Sequence, residues 1–169
     1  MCEKEKSITV FYETKVKEIM QTAKSEIPQI EEKAEVARVL SCLNNRDHVW
    51  VMDSKEPTQL VGVITQSDTI AFFSPPLTSS QSFESPDSRS LQFGIPLTAE
   101  EIMSKKPVTA SPDEKIRDIL AKMKEQKIKL IPVVDDYGQL IGEISLKRII
   151  QEYSKHMAYT NQKEKREVS

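Results

Sequence analysis

Four short patterns occur twice along this chain, in the same order and at nearly the same separation. Glu18-Ile19-Met20 returns as Glu101-Ile102-Met103, 83 positions later. Val36, Val39, Leu40 and Leu43 return as Ile116, Ile119, Leu120 and Met123, 80 positions later. Val51 and Asp53 match Val133 and Asp135 at a separation of 82, and Gln59-Leu60-Val61-Gly62 matches Gln139-Leu140-Ile141-Gly142 at 80. The separation changes only between patterns, where loops absorb insertions. Identities are few, but the apolar positions keep their order and spacing, which is the signature of a duplicated unit. A chain of 169 residues then has room for two small units packed together.

The second copy shows the plan more clearly. Thr98 and Glu101 form a capping box that opens a short lead-in helix ending near Met103. Pro107-Val108-Thr109-Ala110 reads as a short extended segment. Ser111-Pro112-Asp113-Glu114 reads as a helix start, with a Ser cap, Pro at the first helical position and Glu three residues after the cap. Ile116, Ile119, Leu120 and Met123 continue with helical spacing. Leu130–Val134 and Leu140–Ser145 are of strand length, and Asp136-Tyr137-Gly138 supplies turn chemistry between them. A closing helix follows over Lys147–Tyr153. The first copy repeats this with a lead-in helix at Val16–Met20, an extended piece at Ile27–Ile30, a helix at Ala34–Leu43, strands at Val49–Met52 and Leu60–Thr65, and a closing helix from Ser67.

Each copy is thus a βαββα unit whose small sheet has helices on one face. Such a sheet does not bury its apolar surface alone, so the expected fold is α+β, with two pseudo-twofold-related units packed sheet to sheet. The boundaries read as an extension over 1–15, the first copy over 16–73, a linker over 74–97, the second copy over 98–155 and a polar tail over 156–169. Ser74–Gly94 holds seven Ser and three Pro, the composition of a flexible connection, with Phe83, Leu91 and Phe93 as anchoring points. The tail ends in mixed charge and reads as a solvated helix end.

Composition closes off several function classes. A net charge of −2 argues against nucleic-acid binding. No apolar run approaches the roughly 20 residues that span a bilayer, and the N-terminus lacks the apolar core of a secretion signal, so the cytoplasm is the expected location and direct membrane insertion is not expected. The two cysteines, Cys2 and Cys42, form no metal-binding spacing, Cys42 falls on the apolar helix face, and His48 and His156 stand far apart. No metal or catalytic cluster is expected: the four Gly form no phosphate loop and no Ser sits in a nucleophile-elbow context.

The second copy, with EIMSKKPVTASPDEKIRDILAKMKEQKIKLIPVVDDYGQLIGEIS, resembles a CBS (cystathionine-beta-synthase-type) domain almost end to end. The first copy is similar and more divergent, with Trp50 where the second has Pro132. Together they resemble a tandem CBS pair, or Bateman module. The resemblance implies two clefts related by the internal twofold, binding of adenosine-containing ligands (AMP, ADP, ATP or S-adenosylmethionine), a tendency to homodimerise, and regulation of an attached or partner enzyme, channel or transporter. It implies no required cofactor and no enzymatic activity of the module itself.

Gly62-Val63-Ile64-Thr65-Gln66-Ser67-Asp68 resembles the family's signature in which Asp holds the ribose and Thr contacts phosphate. Thr-x-x-Asp is also an ordinary helix cap, and both readings are carried forward. In family geometry this signature faces Pro107, Val108 and Thr109, and then Ile128, Lys129 and Pro132, of the other copy. Ile128 and Val108 would flank the base, Lys129 would reach a phosphate, and His48 takes a position where relatives carry a phosphate-binding basic residue. The second cleft departs from the pattern. It keeps Ser145 but has Arg148 where Asp belongs, and an arginine accepts no hydrogen bond from a ribose. An anion is the expected occupant there, if any. Two functions follow: a sensor of an adenosine ligand in the cleft between the copies, or a ligand-free dimerisation or docking module, such as the cytosolic part of a channel or transporter.

Overall fold

The computed structural model describes residues 3–22, 25–73 and 97–167. Cys2 and the linker span 74–96, with Phe83, Leu91 and Phe93, lie outside them. The chain divides into two compact units, one of residues 25–107 and one of residues 1–24 with 108–169.

In the first unit (25–107), β1 (Gln29–Glu31) runs parallel to β2 (His48–Met52), and β2 pairs antiparallel with β3 (Leu60–Thr65). Val49, Trp50, Val51 and Met52 are all buried, as a β-rich apolar run predicts for an interior strand. α3 (Val36–Leu43) buries Val36, Val39 and Leu43, three of the four repeated positions, with Val39, Leu43, Val49, Val51 and Ile64 in one cluster. Cys42 is a half-buried free thiol at its margin. Asp53 closes β2 by accepting the backbone N–H groups of Lys55 and Glu56 on Oδ1, at 2.7 and 2.9 Å.

The second unit has α6 (Ile116–Gln126) on the hairpin of β5 (Leu130–Val134) and β6 (Leu140–Ser145). Asp135 repeats the role of Asp53, taking the N–H groups of Tyr137 and Gln139 at 2.9 Å each. Gly138 between them has φ 78°, a left-handed turn position that favours glycine. The repeated Asp is therefore a turn anchor in both units.

The packing units cut across the repeat. The lead-in helix of the first copy, α2 (Val16–Ile19), packs in the second unit, and that of the second copy, α5 (Ala99–Ile102), packs in the first. The same backbone clasp holds each. Val16 and Lys17 donate to the carbonyls of Glu114 and Pro112 at 2.9 and 3.0 Å, and Ile116 donates to Thr14 at 2.9 Å. In the first unit Ala99 and Glu100 donate to Ala34 and Glu32, and Val36 donates to Leu97, all at 2.9 Å. Beyond each lead-in helix the chain continues along the sheet: β4 (Ser104–Lys105) pairs with β3, and Gln21 bridges Glu143 of β6.

This clasp explains one of two departures from the sequence expectation. Ser111–Glu114 forms a turn, not the first helical turn, and α6 begins at Ile116. The carbonyls of Pro112 and Glu114 are engaged by α2, and Ser111 N–H closes on the Glu114 carboxylate at 3.1 Å. Of the expected extended segment 107–110, only Ala110 pairs, in parallel with Val133. Over the expected extension of 1–15 the chain forms α1 (Glu3–Glu13), with Phe11 buried and edge-on to Tyr153 at 5.2 Å. The closing helix α7 runs from Leu146 to Glu167, through most of the expected tail.

The glycines of the repeated Leu-x-Gly pattern stand under the lead-in methionines. A Cβ at Gly142 would lie 2.7 Å from the Gln21 carbonyl oxygen and 3.0 Å from Met20 Sδ; one at Gly62 would lie 2.3 Å from Met103 Sδ and 3.1 Å from the Ser104 carbonyl oxygen. A methionine side chain can move and a backbone carbonyl held in a bridge cannot. Gly142→Ala is therefore expected to cost about 1–3 kcal/mol, as overpacking does, and more than Gly62→Ala. Urea unfolding of the two variants checks the order.

Lys15 and Lys17 both place Nζ 2.9 Å from Asp113 Oδ1. Hydrogen bonds from Lys15, then Lys17, hold the Asp113 carboxyl down to about 2. A depressed carboxylate contributes stability above its unfolded value of about 3.9 and loses it as pH falls through the folded value. Wild type and Asp113→Asn should therefore differ in Tm by a constant gap above about pH 5, narrowing as the pH falls to about 2. A gap that persists in acid would contradict this.

Candidate ligand site

At the end of β3 the chain turns into a 3₁₀-helix over Gln66–Thr69, with Thr65 and Asp68 forming a capping box. Asp68 Oδ2 accepts both the backbone N–H and the hydroxyl of Thr65, each at 2.7 Å. The Thr-x-x-Asp sequence thus caps the turn. For Asp68 the cap leaves Oδ1 without a hydrogen bond among the described residues, and a carboxylate oxygen fixed in this way suits a ligand hydroxyl. For Thr65 the two readings compete, because its one hydroxyl proton is already donated to Asp68.

His48 is the register partner of Thr65 across the β2–β3 ladder. Its ring lies edge-on to Trp50, 5.1 Å between centroids. Gln66, not singled out by the sequence, reaches with its amide to the carbonyls of Leu43 and Arg46, 3.3 Å each, tying the preceding loop to the site. One end of the first unit's sheet therefore gathers an imidazole, a hydroxyl and a half-buried carboxylate. Pro107, half-buried, closes the same unit in sequence.

The other expected residues belong to the second unit. Val108 and Thr109 are half-buried, and the Thr109 carbonyl accepts Lys122 Nζ at 2.9 Å. Ile128 and exposed Lys129 line an open hollow of about 460 Å³ with Leu120, Met123, Lys124, Lys127 and Leu146. The Lys129 carbonyl accepts the N–H of Leu146 at 2.8 Å, fixing the start of α7. Pro132 is fully buried.

Ser145 and Arg148 occupy the positions of Thr65 and Asp68 but do different work. Ser145 Oγ accepts the Arg148 N–H at 3.1 Å and caps α7. The Arg148 guanidinium donates from Nε to the carbonyl of Ile19 at 3.0 Å, at the C-terminus of α2, and lies 3.4 Å from Glu152. Lys155, bonded to the same Glu152 oxygen at 2.8 Å, is the main cause holding the Glu152 carboxyl below its usual range. An anion arriving at Arg148 would have to compete with these contacts. Sequence reasoning saw that Arg148 breaks the ribose-binding pattern; its partner, 129 positions away, carried no local signal. Arg148→Ala should release the end of α2 at a cost of about 1.5–3 kcal/mol, the value of a charged hydrogen bond, measured by urea unfolding. Arg148→Lys should not restore it, since a lysine presents no Nε.

The sequence profile of the CBS domain matches residues 16–74 and 99–155. Among solved structures, the CBS domain of a bacterial CNNM/CorC family Mg2+ transporter in complex with ATP is 22% identical, with a TM-score of 0.65, covering 90% of this chain and 98% of that one. CBSX2 in complex with AMP is 19% identical, with a TM-score of 0.65 and coverage of 83% and 96%. The CBS domain pair of protein MJ0100, in complex with 5-methylthioadenosine and S-adenosyl-L-methionine, is 26% identical, with a TM-score of 0.58 and coverage of 83% and 99%. Two curated relatives are homoserine O-acetyltransferases: that of Methanohalobium evestigatum is 40% identical over 57 residues, and that of Methanococcus vannielii 29% identical over 142. They match 32% and 84% of this chain, which spans only 12% and 25% of their own lengths. No helix among the described residues is long and apolar enough to cross a membrane. With both copies matched over more than half its length, the chain belongs to the CBS domain family and carries two CBS domains.

Proposed function

We propose that the chain is a regulatory module that takes up an adenosine-containing ligand and passes its occupancy to an attached or partner protein. Asp68 carries the reading. Its carboxylate is half-buried, oriented by two bonds to one oxygen, and has the other oxygen open to accept from ribose hydroxyls, as acidic residues do in dinucleotide sites. His48, the register partner of Thr65, is proposed to meet the anionic part of a nucleotide. Complexes of similar CBS structures with AMP, ATP and S-adenosylmethionine support this ligand class. Pro107, Val108, Thr109, Ile128, Lys129 and Pro132 are proposed as further contacts. The module acts without chemistry of its own, in the cytosol, as a homodimer. The acetyltransferase names belong to proteins of which this chain matches a minor part.

Calorimetry with AMP, ADP, ATP and S-adenosylmethionine tests the reading. One ligand is expected to bind at one site per chain and to be lost, by tenfold or more, in Asp68→Ala, about the 1.5–3 kcal/mol of a charged hydrogen bond. Trp50, the only tryptophan, lies against His48 and should report the same binding by fluorescence. Lys129→Ala tests the proposed Lys129 contact. No heat from any of the four ligands would defeat the proposal in favour of the ligand-free docking module, the reading that Arg148's internal engagement favours for the second copy.

A further inference from the structure

The two backbone clasps are alike, so their hydrogen bonds do not say which lead-in segment belongs in which unit. Their charges do. In the second unit Lys15 and Lys17 sit 2.9 Å from Asp113, Glu13 lies 2.6 Å from Arg117, and Glu13 also pairs with Lys115. In the first unit Glu100 pairs with Lys33 at 2.5 Å. Through the repeat, which is offset by 83 in the lead-in segment and by 80 in the clasping turn, Lys17 corresponds to Glu100 and Asp113 to Lys33. The same ion pair is thus present twice with its signs reversed. Lys115, likewise, corresponds to Glu35.

With the lead-in segments traded, each of these pairings would invert except Glu13–Arg117, which would be lost because Arg117 corresponds to Ala37. Lys15 and Lys17 would face Lys33, Glu13 would face Glu35, and Glu100 would face Asp113. The paired side chains are between 35% and 62% exposed, so a single contact is worth little. Several contacts changing from attraction to repulsion oppose the traded arrangement, as does Phe11, which precedes the first lead-in segment and is buried in the second unit's core. The glycine-under-methionine contact does not separate the two arrangements, since Glu-Ile-Met and Leu-x-Gly are common to both copies.

We propose that each unit presents an interaction surface selective for the charge of a lead-in segment: the Asp113–Lys115 surface fits the segment bearing Lys15 and Lys17, and the Lys33–Glu35 surface fits the segment bearing Glu100. The pairing is read directly from methionine methyl to glycine Hα contacts by NMR on the full chain. Wild type should show Met20 to Gly142 and Met103 to Gly62. The variant Glu13→Lys, Lys15→Glu, Lys17→Glu, Glu100→Lys carries the opposite code and should show Met20 to Gly62 and Met103 to Gly142. Adding Lys33→Asp, Glu35→Lys, Asp113→Lys and Lys115→Glu reverses both surfaces as well. It should return the wild-type contacts and bring the unfolding constant back to within about tenfold of wild type, a span of 1.4 kcal/mol. If the first variant keeps the wild-type contacts and is merely less stable, the charges support the pairing without choosing it, and the proposal fails. Failure of the fully reversed chain to fold would overturn it too.

Discussion

A lead-in segment lying across the sheet of the other copy's unit is the constraint on which the rest of the structure depends. It needs a sheet position with no Cβ, which Gly62 and Gly142 supply under Met103 and Met20. It needs free backbone groups just before each helix, which is why α3 and α6 begin only after the carbonyls of residues 32 and 34, and 112 and 114, have been taken. It also adds a fourth rank beside β3 in one unit and a bridge beside β6 in the other, covering strand edges that would otherwise be open. Neither copy completes its core from contiguous sequence.

Much of this plan is legible in the sequence, and what is not has a physical reason. The helical positions Ile116, Ile119 and Met123, the strands β2, β3, β5 and β6 and the Thr98–Glu101 box are local patterns of burial and capping, and each stands where the periodicity put it. The exchange is not local. A repeat shows that two segments are alike without showing which partner each one takes. Ser111-Pro112-Asp113-Glu114 has every local mark of a helix start, but tertiary hydrogen bonds to α2 claim its carbonyls. Phe11 illustrates the same limit. It lies outside the repeated patterns, and only the packing of α1 against Tyr153 makes it a core residue.

The candidate site divides in the same way. Thr65 and Asp68 are recognisable as a cap and as a family signature, and the structure shows the cap fully formed. That His48 stands opposite Thr65 with its ring against Trp50 depends on strand register. Register emerges from pairing, not from any single segment.

Arg148 shows what duplication allows. Two copies of one unit begin with the same residue types at the same places, and nothing requires both to keep them. At the position where the first copy holds a carboxylate with an oxygen still open, the second holds a guanidinium fastened to the carbonyl of Ile19. A solute comes and goes, whereas a segment of the same chain is always present. That single inherited position has therefore taken two forms, one whose proposed partner is conditional and one whose partner is permanent.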